Sequence, residues 1–269
     1  MLRSLRMALL TMLFAGNPMT ARAETATLVS IPTPRGVTQA FILIKPDHPV
    51  AAVILFAGGG GVLGLKTASS RAANFLVRSR DKFAAHNFIV AVVDAPSDYQ
   101  QDGMPVMFRV SNAHAGDIGA VVSHLKNEDA VPVWLIGTSA GTFSAAIGAI
   151  AGGKNIDGLV LTSTVTRAPR EWEFARSHPN GVADMALSEI TVPTLIMSHR
   201  EDLCTATPAA DAAMLRMRLT KTSKAEIALL DGGAPPQSSP CEAKAAHGYF
   251  SIEAEAVNTI ANFINSNSK

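Results

Sequence analysis

Short apolar runs recur along this sequence, and from the third onward the gaps between most of them are long enough to hold a helix. That alternation restricts the chain to a layered α/β architecture built on a largely parallel sheet. The runs predict eight strands, over Thr25–Ile31, Val37–Ile44, Ala51–Ala57, Phe88–Asp94, Pro132–Gly137, Asp157–Ser163, Val192–Ser198 and Ala225–Leu230. Only Pro-Thr-Pro-Arg-Gly separates the first two, a turn that predicts an antiparallel hairpin. Helical patterns cover 67–86, 110–126, 140–152, 207–220 and 252–265, as crossovers between parallel strands require. The stretch 164–191 follows the sixth strand and is a candidate small cap. No repeat, low-complexity tract or linker divides the chain. Its 269 residues, nearly half of them apolar, suit one domain with a single core.

The fifth run, Pro-Val-Trp-Leu-Ile, leads into Gly137-Thr138-Ser139-Ala140-Gly141 and then a small-residue helix. G-x-S-x-G between a strand and a helix places its serine on a sharp, strained turn, exposed at the strand's end. Glycines two residues to either side leave room for the neighbouring strand and helix. Ser139 is therefore the candidate nucleophile. A serine hydroxyl needs a base, and the base needs an orienting carboxylate. Behind an elbow of this kind they follow in the order serine, acid, histidine. Ser-His-Arg-Glu-Asp-Leu-Cys follows the seventh run and offers Asp202, with Glu201 as the adjacent alternative. His247 is the only histidine C-terminal to that acid and is the candidate base. His199 lies on the same strand end as the acid and is the one distractor. His48, His86, His114, His124 and His178 read as structural or exposed.

A tetrahedral intermediate also needs donors for its oxyanion. The backbone N–H of Ala140, next after the nucleophile, is one candidate. The loop after the third strand, Gly58-Gly59-Gly60-Gly61, offers the other, with Gly59 favoured by position and Gly58 or Gly60 as alternatives.

With this elbow, triad order, strand count and antiparallel second strand, the whole chain after its first residues resembles the α/β-hydrolase fold family. The resemblance implies a sheet ordered 1-2-4-3-5-6-7-8. It also implies acyl transfer through an acyl-enzyme, without metal or cofactor. Esters of small molecules or other acyl compounds are the implied substrates, with acyl transfer, thioester cleavage or peptide cleavage as alternatives on the same fold. One departure stands out: Ala57 occupies the place where many members carry the histidine of H-G-G-G, so the hydrogen bonding that shapes the loop must differ. A non-catalytic ligand-binding protein is a further alternative. A dinucleotide-binding reading draws on Gly59-Gly60-Gly61-Val62-Leu63-Gly64 with Asp94, but Asp94 lies about 30 residues past the last glycine where that pattern expects about 20.

Arg3 and Arg6 precede an apolar stretch from Met7, and Ala21-Arg22-Ala23 ends the segment as an A-x-A signal. Residues 1–23 thus read as a secretory signal peptide, placing residues 24–269 in the periplasm or outside the cell with no stable membrane anchor. Cleavage removes three of the 23 basic residues and no acid, leaving 20 against 22 acids. That balance offers no basic surface for nucleic acid. In an oxidising compartment Cys204 and Cys241, the only cysteines, are expected to pair, and they make a poor metal site. Few charges fall near the inferred site loops; Lys66, Arg71, Asp98, Asp102, Arg167 and Arg170 are the exceptions. Met107, Phe108, Trp172 and Phe174 either line an acyl pocket or simply pack.

Overall fold

The computed structural model describes residues 25–268; the leader read from residues 1–23 lies outside them. Eight strands form one sheet: β1 (Ala26–Pro32), β2 (Thr38–Ile44), β3 (Ala51–Phe56), β4 (Phe88–Val93), β5 (Val133–Thr138), β6 (Gly158–Thr162), β7 (Thr194–His199) and β8 (Ala225–Leu230). Their spatial order is β1-β2-β4-β3-β5-β6-β7-β8. β2 runs antiparallel to both β1 and β4, and every other neighbour pair is parallel. Each strand lies within two residues of its expected position.

Burial explains the sequence pattern. β3, β4 and β5 are buried at every position, which is why they read as unbroken apolar runs and not as alternating ones. At the edges, β1 mixes half-buried with exposed residues and β8 is mostly half-buried. One face of the sheet is covered by α1 (Phe75–Arg78), α2 (Arg80–Ala84) and the C-terminal helix α7 (Glu253–Asn267). The other carries α4 (Asn112–Glu128), α5 (Gly141–Gly152) and α6 (Ala212–Arg218). A short α3 (Val106–Arg109) lies just before α4.

The helix expected over 67–86 is a correction. Only α1 and α2 form, after an irregular stretch. Ser70 Oγ accepts from the N–H groups of Lys66 and Thr67, and Arg80 donates to the carbonyls of Ser70 and Ala68. Asn74 caps α1 by accepting from Leu76 N. Serine and asparagine side chains compete here with the helical ladder, and they hold the backbone in turns. Likewise α6 starts at Ala212, five residues later than expected, because Pro208 and a single turn of tighter 3₁₀ helix precede it.

The 164–191 segment contains three 3₁₀ turns, Glu173–Arg176, Gly181–Asp184 and Leu187–Glu189. Phe174, Val182, Leu187 and Ile190 are buried in the same core as α4 and α5, with Phe174 edge-on to Phe143 at 5.5 Å.

Candidate active site

The parallel strands β3, β5, β7 and β8 all deliver their following loops to one edge of the sheet, the edge where open α/β sheets place their sites. At the end of β5, Ser139 has a φ of +52°, a left-handed conformation costly for a residue with a side chain. The flanking glycines are what make the turn possible. A Cβ at Gly137 would lie 2.4 Å from the carbonyl oxygen of Gly141, and one at Gly141 would lie 2.1 Å from that of Phe56. The turn therefore wedges α5 against β3, with Ser139 at its apex.

Asp202 follows β7 and is buried. Its Oδ2 lies 3.0 Å from His247 Nδ1 and accepts from Thr207 Oγ1 at 2.8 Å, while Oδ1 accepts from Cys204 N at 2.9 Å. Thr207 Oγ1 also sits 3.1 Å from His247 Nδ1. The sequence reading did not single out Thr207, and a threonine before a proline carries no signal of such a role. His247 is held from behind as well. Ser163 Oγ donates to its carbonyl at 2.8 Å, and Arg78 donates to the next carbonyl, that of Gly248, at 2.6 Å. Ser139 and His247 line one cavity of about 450 Å³, although no hydrogen bond joins them. Among the described residues, no group accepts from the backbone N–H of Gly59 or Ala140.

Glu201 is exposed. His199 is buried and spent on the backbone: its Nδ1 accepts from Glu201 N at 3.1 Å, so its Nε2–H donates to Gly232 O at 2.9 Å. Asp94 is buried and accepts from the N–H groups of Leu63, Leu65 and Ala95, so this carboxylate is engaged in anchoring the glycine loop. Cys204 and Cys241 form a disulfide, and Cys241 itself lines the cavity.

The rest of the lining comes from Gly58, Gly59 and Ala73–Phe75, and from the 238–248 loop with Glu242 and Lys244. Neither of these two charged residues stood out in the sequence. Of those that did, Asp98 pairs with Arg35, Arg71 with Asp81 and Arg167 with Asp211. Phe108 and Phe174 are buried, Phe108 packing on Tyr99 and His114 and Phe174 on Phe143.

Beneath the glycine loop lies a buried polar cluster. Arg109 donates to Ser144 Oγ at 2.8 Å, and His114 Nε2 lies 2.9 Å from the same hydroxyl. Burial, reinforced by the charges of Arg109 and Arg35, pushes the His114 pKa down to about 3. Below pH 6.5 the unfolded chain therefore binds a proton that the folded protein refuses. Stability from this residue falls as the pH drops from about 6.5 towards 3, reaching a loss of about 2–3 kcal/mol at pH 4.5. Urea midpoints at pH 7 and 4.5 check this: His114→Gln should remove that part of the acid sensitivity. An acid-induced loss equal in both proteins would refute it.

Comparison with protein-family models and with curated proteins finds no match. Solved structures do match over almost the whole chain. An esterase from Pyrococcus furiosus superposes with a TM-score of 0.64 at 16% identity, covering 95% of this chain and 96% of that one. Brefeldin A esterase, described as a bacterial homologue of human hormone-sensitive lipase, gives 0.63 at 15% identity, over 94% and 80%. Est1E from Butyrivibrio proteoclasticus gives 0.64 at 15%, over 90% and 98%. The chain has the α/β-hydrolase fold. Within that fold, the loops bearing Ser139, Asp202 and His247 leave β5, β7 and β8 at one edge of the sheet.

Proposed function

We propose that this protein is a serine hydrolase that cleaves a carboxylic ester through Ser139, His247 and Asp202. One observation carries the reading: a serine held at positive φ shares a cavity with a histidine whose Nδ1 rests on a buried carboxylate. That arrangement suits proton transfer at the free Nε2. His247 takes the proton of Ser139 as Oγ attacks the ester carbonyl carbon. The resulting oxyanion accepts hydrogen bonds from the Ala140 and Gly59 N–H groups, and Asp202 stabilises the imidazolium. Collapse expels the alcohol with the proton from His247. Water, activated by the same histidine, then cleaves the acyl-enzyme to release the acid and free Ser139.

That these structural neighbours are esterases supports an ester as substrate. The Cys204–Cys241 bridge and the leader pattern of residues 1–23 support an exported protein in an oxidising compartment. No helix among the described residues is long and apolar enough to cross a membrane.

The test is labelling with a fluorophosphonate, read by intact mass. A single adduct on the native protein, absent from Ser139→Ala, is the expected result, together with a fall of about 10⁴-fold or more in ester turnover for the variant. An adduct that persists in the variant, or none on the folded native protein, would overturn the reading.

A further inference from the structure

The loop after β3 lacks the histidine that shapes it in many proteins with the H-G-G-G pattern, since Ala57 stands in that position. A buried cation lies under it instead. Arg109, on α3, is 1% exposed, and no carboxylate pairs with it among the described residues. Its Nη2 donates to Gly59 O at 2.9 Å and lies 3.3 Å from Ala57 O, while Nη1 reaches Ser144 Oγ on α5. Nε is buried without a partner. Burial lowers its pKa only to about 10, so the guanidinium stays charged at neutral pH.

We propose that Arg109 is the positioning residue of the oxyanion site, holding the glycine loop and the nucleophile helix in register with a fixed positive charge behind them. This rests on the serine-hydrolase reading above. The two carbonyls it engages belong to the peptides on either side of the one joining Gly58 to Gly59, which carries the favoured donor. A trans peptide points its N–H opposite to its carbonyl. Drawing the Ala57 and Gly59 oxygens towards Arg109 therefore turns the Gly58 and Gly60 N–H groups away from it. The middle peptide is then pinned from both ends, and its own carbonyl accepts from Gly61 N at 3.2 Å.

Ser144 links the same guanidinium to α5, the helix that starts beside the second candidate donor, Ala140. Gly61, with φ of +75°, completes the fit: a Cβ there would lie 2.6 Å from Arg109 Nη2. A planar fork can reach two loop carbonyls and a helix hydroxyl together, whereas a lysine ammonium presents one point charge. Burying an unpaired cation is costly, so a purely structural role would be better served by an apolar side chain.

The experiment compares the native protein with Arg109→Lys, and with Ser144→Ala in case the lysine variant does not fold. Three readouts are taken: kcat and KM on p-nitrophenyl acetate, the rate of fluorophosphonate labelling, and amide hydrogen exchange at residues 58–63. Arg109→Lys should lower kcat by about 100-fold, as loss of oxyanion stabilisation does, with KM changed less than about threefold. Labelling should slow in parallel, and exchange should quicken in 58–63 without quickening in the sheet. Ser144→Ala should show the same pattern at about three- to tenfold, because the cation remains but is released from α5. Native kcat in folded Arg109→Lys overturns the proposal, as does loop exchange unchanged in both variants. So does a general loss of protection with kcat preserved, the mark of a merely structural residue. If the native protein takes no label, the hydrolase reading fails, and loop exchange alone decides whether Arg109 positions the loop.

Discussion

Asp202→Asn is expected to lower kcat by about 10⁴-fold while leaving the melting temperature nearly unchanged. The reason lies in the donors around this carboxylate. One oxygen accepts from Cys204 N, and the other lies within hydrogen-bond reach of both Thr207 Oγ1 and His247 Nδ1. An asparagine can keep its oxygen on Cys204 N, which turns its NH₂ group towards His247. Nδ1 must then accept, the ring proton moves to Nε2, and the nitrogen facing Ser139 can no longer act as a base. The hydroxyl of Thr207 can rotate to accept from the amide, so little folding energy is lost. His247→Ala removes the base outright and should cost about 10⁶-fold, and combining the two changes should add little, since the residues act as a unit. Turnover of a p-nitrophenyl ester, with thermal melts as the folding control, checks both. A fall of less than tenfold in a folded Asp202→Asn protein would assign the acid elsewhere.

Reducing the Cys204–Cys241 disulfide should lower both stability and turnover. The bridge closes 37 residues of sequence, for which chain entropy gives about 4 kcal/mol. Its two ends also sit at the site: the Cys204 N–H holds Asp202, and Cys241 lines the cavity. Between β8 and His247 the loop is almost wholly exposed. Apart from the bridge, it is held by surface contacts such as Gln237 N to Lys244 O and by His199 to Gly232 O. Such a segment has little buried surface of its own to order it. The Cys204→Ser/Cys241→Ser protein should therefore unfold at lower urea and lose at least tenfold in kcat/KM well before its unfolding transition. Full turnover in the folded, bridge-free protein would show that His247 keeps its place without the bridge.

Much of this architecture was legible because its signals are local. An apolar run buried on both faces shows itself in any window of six residues, which makes the central strands legible, and the edge hairpin is marked by the turn Pro-Thr-Pro-Arg-Gly. The elbow was legible because two backbone clashes, at Gly137 and Gly141, fix two glycines at a set spacing. Contacts made across the fold left no such trace. Thr207 reaches Asp202 only because the chain turns back after β7. Arg109 meets the glycine loop from about 50 residues further along, and nothing in Met-Phe-Arg-Val distinguishes it from a surface arginine. The 67–86 stretch departs from its expected helix for the opposite reason. Its helical composition is real, but Ser70, Asn74 and Arg80 give the backbone other partners.

The 164–191 segment carries one more consequence. Phe174, Val182, Leu187 and Ile190 are all in the core, so swinging the segment outward would expose four apolar side chains, at about 1.5–3 kcal/mol each. An opening that costs upward of about 6 kcal/mol is populated on the order of once in 10⁴ molecules or less. On the proposed reading, a segment so firmly seated is not expected to act as a shutter. The cavity takes its lining from Ala73–Phe75 and the bridged 238–244 turn, not from this segment. If the protein is the ester hydrolase proposed, its turnover should show no slow gating phase set by the 164–191 segment.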